Sequence, residues 1–252
     1  MRSDGVALGA RFSIATNRLG FCGPPGLEKA MLDAILKGEG LPSVGRALLE
    51  FEALGPYLEA IADKHGRSPL DHDVVEAYWI GNELLDAFDR KDFLSLLEAL
   101  ATRGLPRRIA DRLAGRLPQN PIPHHLFHVC FVGVGNVTGH VETTLQNIES
   151  CRPTPATVIS RRDEMLTLRR SRLMEKDGRL FPGSDEAVTV AYDPAFLPAV
   201  EEGSDVVLHW GMPATKLSPM QRSNIDKYSA ASLSAYNETL AEDNSHRIYG
   251  AV

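Results

Sequence analysis

The sequence predicts an α+β protein in which a helical N-terminal part precedes a small β-structure and a C-terminal helix. Between residues 24 and 115 apolar side chains recur at helical spacing, and prolines and glycines separate the segments. After residue 151 the apolar runs shorten to four to seven residues, are rich in β-branched side chains and alternate with turn signals. We therefore expect an α-helical domain at residues 1–150 and a second domain at residues 151–252.

Five helices are predicted in the N-terminal part from the apolar spacing and its breakers. Gly38 ends the first, and Gly55 with Pro56 should kink or divide the second, because proline inside a helix removes a hydrogen bond. Ser68 and Pro69 are typical of the N-cap and first turn of the third helix. The five helices are expected near residues 27–36, 48–61, 69–85, 93–100 and 106–113.

Four short strands are predicted in the C-terminal part, near residues 156–160, 165–173, 187–192 and 206–210. Because so few strands must protect their edges, we expect them to close into a small OB-like β-barrel. Ser218 and Pro219 predict the start of a final helix that runs to about residue 240. The apolar stretch at residues 125–136 fits either a helix or a strand, and residues 138–150 could form one more helix.

Composition narrows the classes of function. The formal net charge is −6 and the sequence pI is about 5.8, so a nucleic-acid binder, which needs clustered Lys and Arg, is not expected. The longest apolar run, residues 129–134, is far below the roughly 18 residues of a membrane span, and no signal peptide is visible. Three cysteines, an odd count, do not make a disulfide framework, so we expect a cytoplasmic protein in a reducing compartment.

Two segments carry the weaker candidates for metal ligands. His124, His125 and His128 lie in a proline-rich segment, and imidazole is a natural ligand for nickel, zinc or iron. Since His124 and His128 are four residues apart, they would share one helical face. The alternative is that all three histidines are amphipathic groups at the boundary between the loop and a core segment. Cys22 precedes a helix N-terminus, where the helix dipole lowers a thiol pKa. The alternative for Cys22 is a small buried residue in a tight turn.

Cys151 and His209 are the main candidates: Cys151 is a thiol at the mouth of the predicted barrel, and His209 is an imidazole at the end of a strand, beside a Trp-Gly step. Two spaced motifs, C-x-x-x-P-G-x-V and G-D-x-V-L-V-H-x-G, are matched in order by Cys151, Pro155, Val158, Gly203, Val206, Val207, Leu208, His209 and Gly211. On these motifs, the segment from Cys151 to about residue 240 resembles the small hydrogenase-formation chaperones of the HypC/HupF family. Ala156 and Ser204 depart from the family's glycine and aspartate.

The resemblance implies that Cys151 contacts an iron that carries cyanide and carbonyl ligands, and that His209 lies beside it. A thiolate suits such an iron because it is a soft, strongly donating ligand. The implied partner is a hydrogenase large subunit or a maturation scaffold protein, and the helical part would dock this partner or cover the site. We therefore expect a non-enzymatic accessory protein or chaperone in nickel–iron hydrogenase maturation or metallocentre assembly.

Two alternatives stay open. The first is a protein-interaction module that kept the barrel but lost metal chemistry, which Ala156 and Ser204 would allow. The second is an enzyme that uses the cluster of His124, His125 and His128 with a bound metal. If Cys151 and His209 share one metal ion, the distance from the sulfur to the ring should not exceed about 6 Å, given normal bond lengths near 2 Å.

Overall fold

The structure is a computed structural model that describes residues 3–249, with side chains described for residues 4–240. It confirms the predicted α+β class: helices come first, a five-stranded antiparallel sheet follows, and a helix closes the described chain. Short 3₁₀ (Glu83–Ala87) and π-helical (His128–Gly133) segments accompany the α-helices. The α-helices are α1 (Ser3–Arg18), α2 (Glu28–Lys37), α3 (Leu41–Glu50), α4 (Leu54–His65), α5 (His72–Trp79), α6 (Arg90–Thr102), α7 (Arg107–Gly115), α8 (His125–Phe127), α9 (Leu145–Cys151) and α10 (Pro219–Tyr249).

Helix α1 has no counterpart among the predicted helices. It packs against α2, α3, α5 and the last strand, so it is surrounded by protein. Val6, Phe12 and Ile14, which point in different directions around this helix, are all fully buried. Gly5 and Ser13 are buried as well, and the half-buried or exposed face of the helix is narrow. Small and polar residues therefore interrupt the apolar stripe that reveals an amphipathic helix.

The predicted second helix is divided, as its Gly-Pro pair indicated. Helix α3 ends at Glu50 and α4 begins at Leu54, so Gly55 and Pro56 lie in the first turn of α4. Proline is tolerated there because the first turn has no intrahelical acceptor for its missing N–H.

The predicted start of the third helix at Ser68 is wrong. Helix α5 begins at His72, with Asp71 before it, and the Ser68 N–H donates to the Asp71 carboxylate across a turn. This turn packs tightly on α1: a Cβ atom added at Gly5 would lie 2.2 Å from the Leu70 carbonyl oxygen. This turn and its contact with α1 therefore place the start of α5 about one helical turn later than predicted.

The sheet consists of β1 (Thr154–Arg162), β2 (Met165–Lys176), β3 (Arg179–Ala191), β4 (Asp205–His209) and β5 (Met212–Lys216). All pairs are antiparallel, in the order β3-β2-β1-β4-β5. The predicted OB-like barrel is not confirmed, because the sheet is open and β3 and β5 are its edges within the described residues. Edge strand β5 was not predicted; it contains Pro213, which an edge strand tolerates.

One hydrophobic core joins the helical part to the sheet. It contains Phe12 and Tyr57 from the helices, Val207 from β4 and Ile225 from α10. Helix α10 begins with a reciprocal cap between Ser218 and Gln221, which confirms the predicted start. Since the core is shared, the division into two domains stays a prediction. None of the helices within residues 3–249 combines the length and apolar character that crossing a bilayer requires.

The shared core predicts unequal effects of two truncations on α10. Ile225→Ala should lower the free energy of unfolding by about 2–4 kcal/mol, because it leaves a cavity where the helix meets the core. Met220→Ala is the matched control on the same helix: Met220 is 75% exposed, and the change should stay within about 0.5 kcal/mol. Urea denaturation followed by circular dichroism measures both. Equal losses would contradict the packing of α10 on the core.

Candidate metal centre

Three separate elements bring a thiol and two imidazoles together in the core. His125 begins α8, Cys151 ends α9, and His209 ends β4. The Cys151 Sγ lies 3.5 Å from His125 Nε2 and 3.8 Å from His209 Nε2, and the three potential ligand atoms all lie within 4.8 Å of one another. The distance between Cys151 and His209 is therefore inside the limit of about 6 Å for two ligands of one ion.

A backbone hydrogen bond and a tight turn position His209 beside Cys151. The Trp210 N–H donates to the Ser150 carbonyl at 2.7 Å, which joins the end of β4 to the end of α9. Trp210 and Gly211 form the turn from β4 to β5, with φ angles of 49° and 73°. Positive φ at both central residues is the geometry of a tight hairpin turn, and a bulky Trp adopts it only where the surroundings enforce it.

Hydrogen bonds determine which ring nitrogen of each histidine is free. The His209 Nδ1–H donates to the Phe12 carbonyl at 2.7 Å, so Nε2 keeps its lone pair and faces the Cys151 sulfur. His125 Nε2 lies 3.0 Å from the Cys151 carbonyl oxygen, and its Nδ1 lies 2.8 Å from the Tyr78 hydroxyl. Because a carbonyl only accepts, the metal-free His125 carries its proton on Nε2 and accepts from Tyr78. If Nε2 bound a metal, the proton would move to Nδ1 and donate to Tyr78 instead.

Burial keeps all three groups uncharged in the metal-free protein. It raises the pKa of the Cys151 thiol far above the ordinary value, Cys22 adds to this rise, and the nearby Trp210 side chain opposes it. Burial lowers the pKa of His209 to about 4 and the pKa of His125 well below its usual range. A thiolate at this position therefore needs a cation beside it.

A cavity of about 50 Å³ adjoins the three groups. Both tryptophans of the chain, Trp79 and Trp210, line it, and the Trp79 ring centroid lies 4.2 Å from that of His125 and 5.0 Å from that of His209. Ser13 also lines the cavity, and three buried donors of lining residues, Ser13 Oγ, Trp79 Nε1 and Trp210 Nε1, have no hydrogen-bond partner. The walls are otherwise mostly apolar and aromatic.

The remaining sequence candidates lie outside the set of three. His124 Nδ1 accepts from the Leu126 N–H and contacts the Ser232 hydroxyl, both at 3.3 Å, so this ring caps α8 and joins it to α10. His128 Nδ1 lies 3.2 Å from the Tyr57 hydroxyl. Cys22 lines the cavity, and burial raises its pKa to about 12, with Glu52 adding to the rise.

Sequence reasoning did not join His125 to the pair of Cys151 and His209. It grouped His125 with its neighbours His124 and His128 because they are adjacent in the chain, whereas Cys151 is 26 residues away. It also missed Tyr78 and the Phe12 carbonyl, which orient the two imidazoles. A backbone carbonyl leaves no signal in the identity of its residue, so only the structure reveals this partner.

A protein-family model matches residues 1–243 and is described as a family of unknown function, DUF6390. The chain belongs to DUF6390. The DUF6390 match spans every residue of the candidate centre and most of α10. No curated protein and no solved structure matches the chain. The DUF6390 match carries no link to the HypC/HupF chaperones, so that resemblance stays a prediction.

The buried histidines predict loss of stability in acid for the metal-free DUF6390 protein. Burial lowers the pKa of His124 to about 3 and those of His128 and His209 to about 4, whereas the unfolded chain titrates near 6.5. The unfolded state then binds more protons below pH 6.5, so the free energy of unfolding falls as the pH decreases from about 6.5 to 4. Each histidine contributes up to about 1.4 kcal/mol per pH unit.

Urea denaturation at a series of pH values, in the presence of a chelator, measures this slope. His128→Gln removes one of the titrating groups and should reduce the slope by about 1.4 kcal/mol per pH unit. A slope that is the same in wild type and His128→Gln would contradict the assignment of His128 as buried and neutral.

Proposed function

We propose that this protein binds one divalent transition-metal ion through Cys151, His125 and His209 and acts as an accessory protein in the assembly of a metallocentre. The observation that carries the proposal is the convergence of three potential ligand atoms, from three separate elements, within 4.8 Å in the core. Nickel–iron hydrogenase maturation is the setting that the resemblance of residues 151–240 suggests.

The two sulfur–nitrogen distances support coordination of one ion once the His125 ring turns away from the Cys151 carbonyl oxygen, which lies 3.0 Å from its Nε2. Metal–sulfur bonds of about 2.3 Å and metal–nitrogen bonds of about 2.0–2.1 Å at a tetrahedral angle separate the sulfur from each nitrogen by about 3.6 Å. The observed separations are 3.5 and 3.8 Å. One thiolate and two imidazoles form a donor set of intermediate softness, which suits zinc, nickel, cobalt and ferrous iron better than magnesium or calcium.

The surroundings of the ligands also support a metal site. The Phe12 carbonyl accepts from the second nitrogen of His209, and the Tyr78 hydroxyl contacts the second nitrogen of His125. Metal-binding histidines commonly have a partner of this kind, which fixes the orientation of the ring and raises its basicity. A bound ion would lower the thiol pKa and hold Cys151 as a thiolate.

The cavity limits what the ion carries with it. A cavity of about 150 Å³ accepts a benzene molecule, whereas this one measures about 50 Å³. A bare iron ion fits the donor set, and the small cavity favours an ion that carries few further ligands. We therefore propose binding of the ion itself, with iron and nickel among the candidates.

A hydrogenase large subunit or a maturation scaffold protein is the proposed partner. The three cysteines are unpaired, which supports a reducing compartment such as the cytoplasm. The second candidate function is an interaction module without metal chemistry. It is favoured by one observation: both candidate imidazoles already have protein hydrogen-bond partners, so the cluster is stable without an ion.

Metal titration tests the ligand set. Wild-type protein should bind one Co²⁺ and quench tryptophan fluorescence, because both tryptophans line the site. Cys151→Ala should weaken Co²⁺ binding by more than about a hundredfold, because losing a ligand costs more affinity than losing a residue that only orients a ligand. Cys130→Ala is the matched control, since Cys130 is an equally buried cysteine outside the set.

Because the three ligands are neutral in the metal-free protein, the titration should also show a defined proton release and pH dependence. Only Cys151 must lose a proton, so binding near pH 7 should release one proton per ion, and the affinity should rise about tenfold per pH unit. Equal Co²⁺ affinity in Cys151→Ala and Cys130→Ala would contradict the proposed site.

Partner capture tests the accessory role. Tagged wild-type and Cys151→Ala proteins are purified from cells that make a nickel–iron hydrogenase, and bound hydrogenase subunits and hydrogenase activity are measured. We expect wild type to retain a large subunit or scaffold, and Cys151→Ala to lose maturation. If the variant keeps both the partner and full maturation, Cys151 has no part in the process and the interaction module is favoured.

A further inference from the structure

We infer that the fourth position on the metal is filled from the cavity by a small monoanion of two or three heavy atoms, held by the Ser13 hydroxyl and the Trp79 indole N–H. This inference rests on the proposed function and extends it: the site would take an exogenous ligand as well as an ion. Charge, unused donors and cavity size support it independently.

The charge balance favours an anion. A divalent ion with one thiolate and two neutral imidazoles carries a net charge of +1, and Cys151, His125 and His209 are all buried. Among the described residues no fourth His, Cys, Asp or Glu joins the cluster. A buried, uncompensated charge is costly in a site with mostly apolar walls, and one monoanion makes the site neutral.

Unpaired buried donors on the cavity residues favour a ligand that accepts hydrogen bonds. Ser13 and Trp79 are 2% and 3% exposed, and Ser13 Oγ and Trp79 Nε1 are buried without a partner. Buried polar groups are rarely left unpaired in folded proteins. Both residues line the cavity that also borders the three ligands. An acceptor atom in the cavity would therefore satisfy donors that the protein itself leaves unpaired.

The cavity volume limits the size of the anion. Its volume of about 50 Å³ is roughly a third of the cavity that accepts benzene, which leaves room for two or three heavy atoms. Phe51, Leu54 and Val137 form apolar walls, so a larger anion would have to lose its water without finding new partners. Azide, a linear three-atom monoanion, is a suitable probe, and benzoate is too large.

The test uses the full-length protein saturated with Co²⁺, whose visible absorption reports the ligands of the ion. Azide should change the spectrum in a saturable manner, and benzoate should not. Ser13→Ala should weaken azide binding by about tenfold, the usual effect of one hydrogen bond to a charged group. Ser95→Ala, an exposed serine on α6, is the matched control and should leave azide binding unchanged. Trp79→Phe keeps the aromatic packing, removes the N–H and serves as a second variant.

The outcomes separate this inference from the proposed function. If Co²⁺ binds and its spectrum does not respond to azide, the inference is overturned and the metal site stands. Equal azide affinity in wild type, Ser13→Ala and Trp79→Phe also overturns it, as does a response to benzoate that matches the response to azide. If Co²⁺ does not bind at all, the proposed function itself fails.

Discussion

A buried hydrogen bond from His209 Nδ1 to the Phe12 carbonyl connects the sheet directly to the helical part of the chain. It is 2.7 Å long, buried, and joins residues 197 positions apart in the sequence. Because Phe12 lies in the middle of α1, the bond ties the central helix to the last residue of β4. The same bond leaves the other nitrogen of His209 free to face Cys151. The arrangement of the site therefore depends on how the sheet docks on the helices.

Aromatic packing keeps this junction dry. The Phe12 and Trp79 rings are stacked 4.6 Å apart, and Trp79 lies between Phe12 and the ring of His125. Phe21 covers Trp210 at 4.7 Å on the other side of the cavity. In such surroundings a thiol and two imidazoles are stable only when neutral, or when a cation converts the thiol to a thiolate. On the proposed function, binding of an ion would remove the Cys151 proton and move the His125 proton from Nε2 to Nδ1.

The same burial bears on any transfer of the ion to a partner. Cys151 and His209 are 6% and 1% exposed, so a partner cannot reach them by docking on the surface alone. If the proposed ion is bound and passed on, side chains that line the cavity, such as Phe21 and Cys22 in the loop between α1 and α2, would have to move. This loop is held by Asn17, whose side chain bonds the Cys22 and Pro24 carbonyls and the Leu27 N–H.

The sequence by itself determined the α+β class and most helix and strand positions, because these depend on the local spacing of apolar residues and on turn residues. It also led to the choice of Cys151 and His209 as a pair, because their side-chain chemistry is visible in the sequence. It did not reveal α1, whose buried positions include glycine, serine and threonine as well as apolar residues. It did not reveal the open sheet either, since closure depends on how distant strands meet. Only the tertiary structure brought His125 to the pair and supplied the Phe12 carbonyl and Tyr78 hydroxyl as its supports. These contacts join residues far apart in the chain, and only the packing of α1, α8 and β4 into one core brings them within bonding distance.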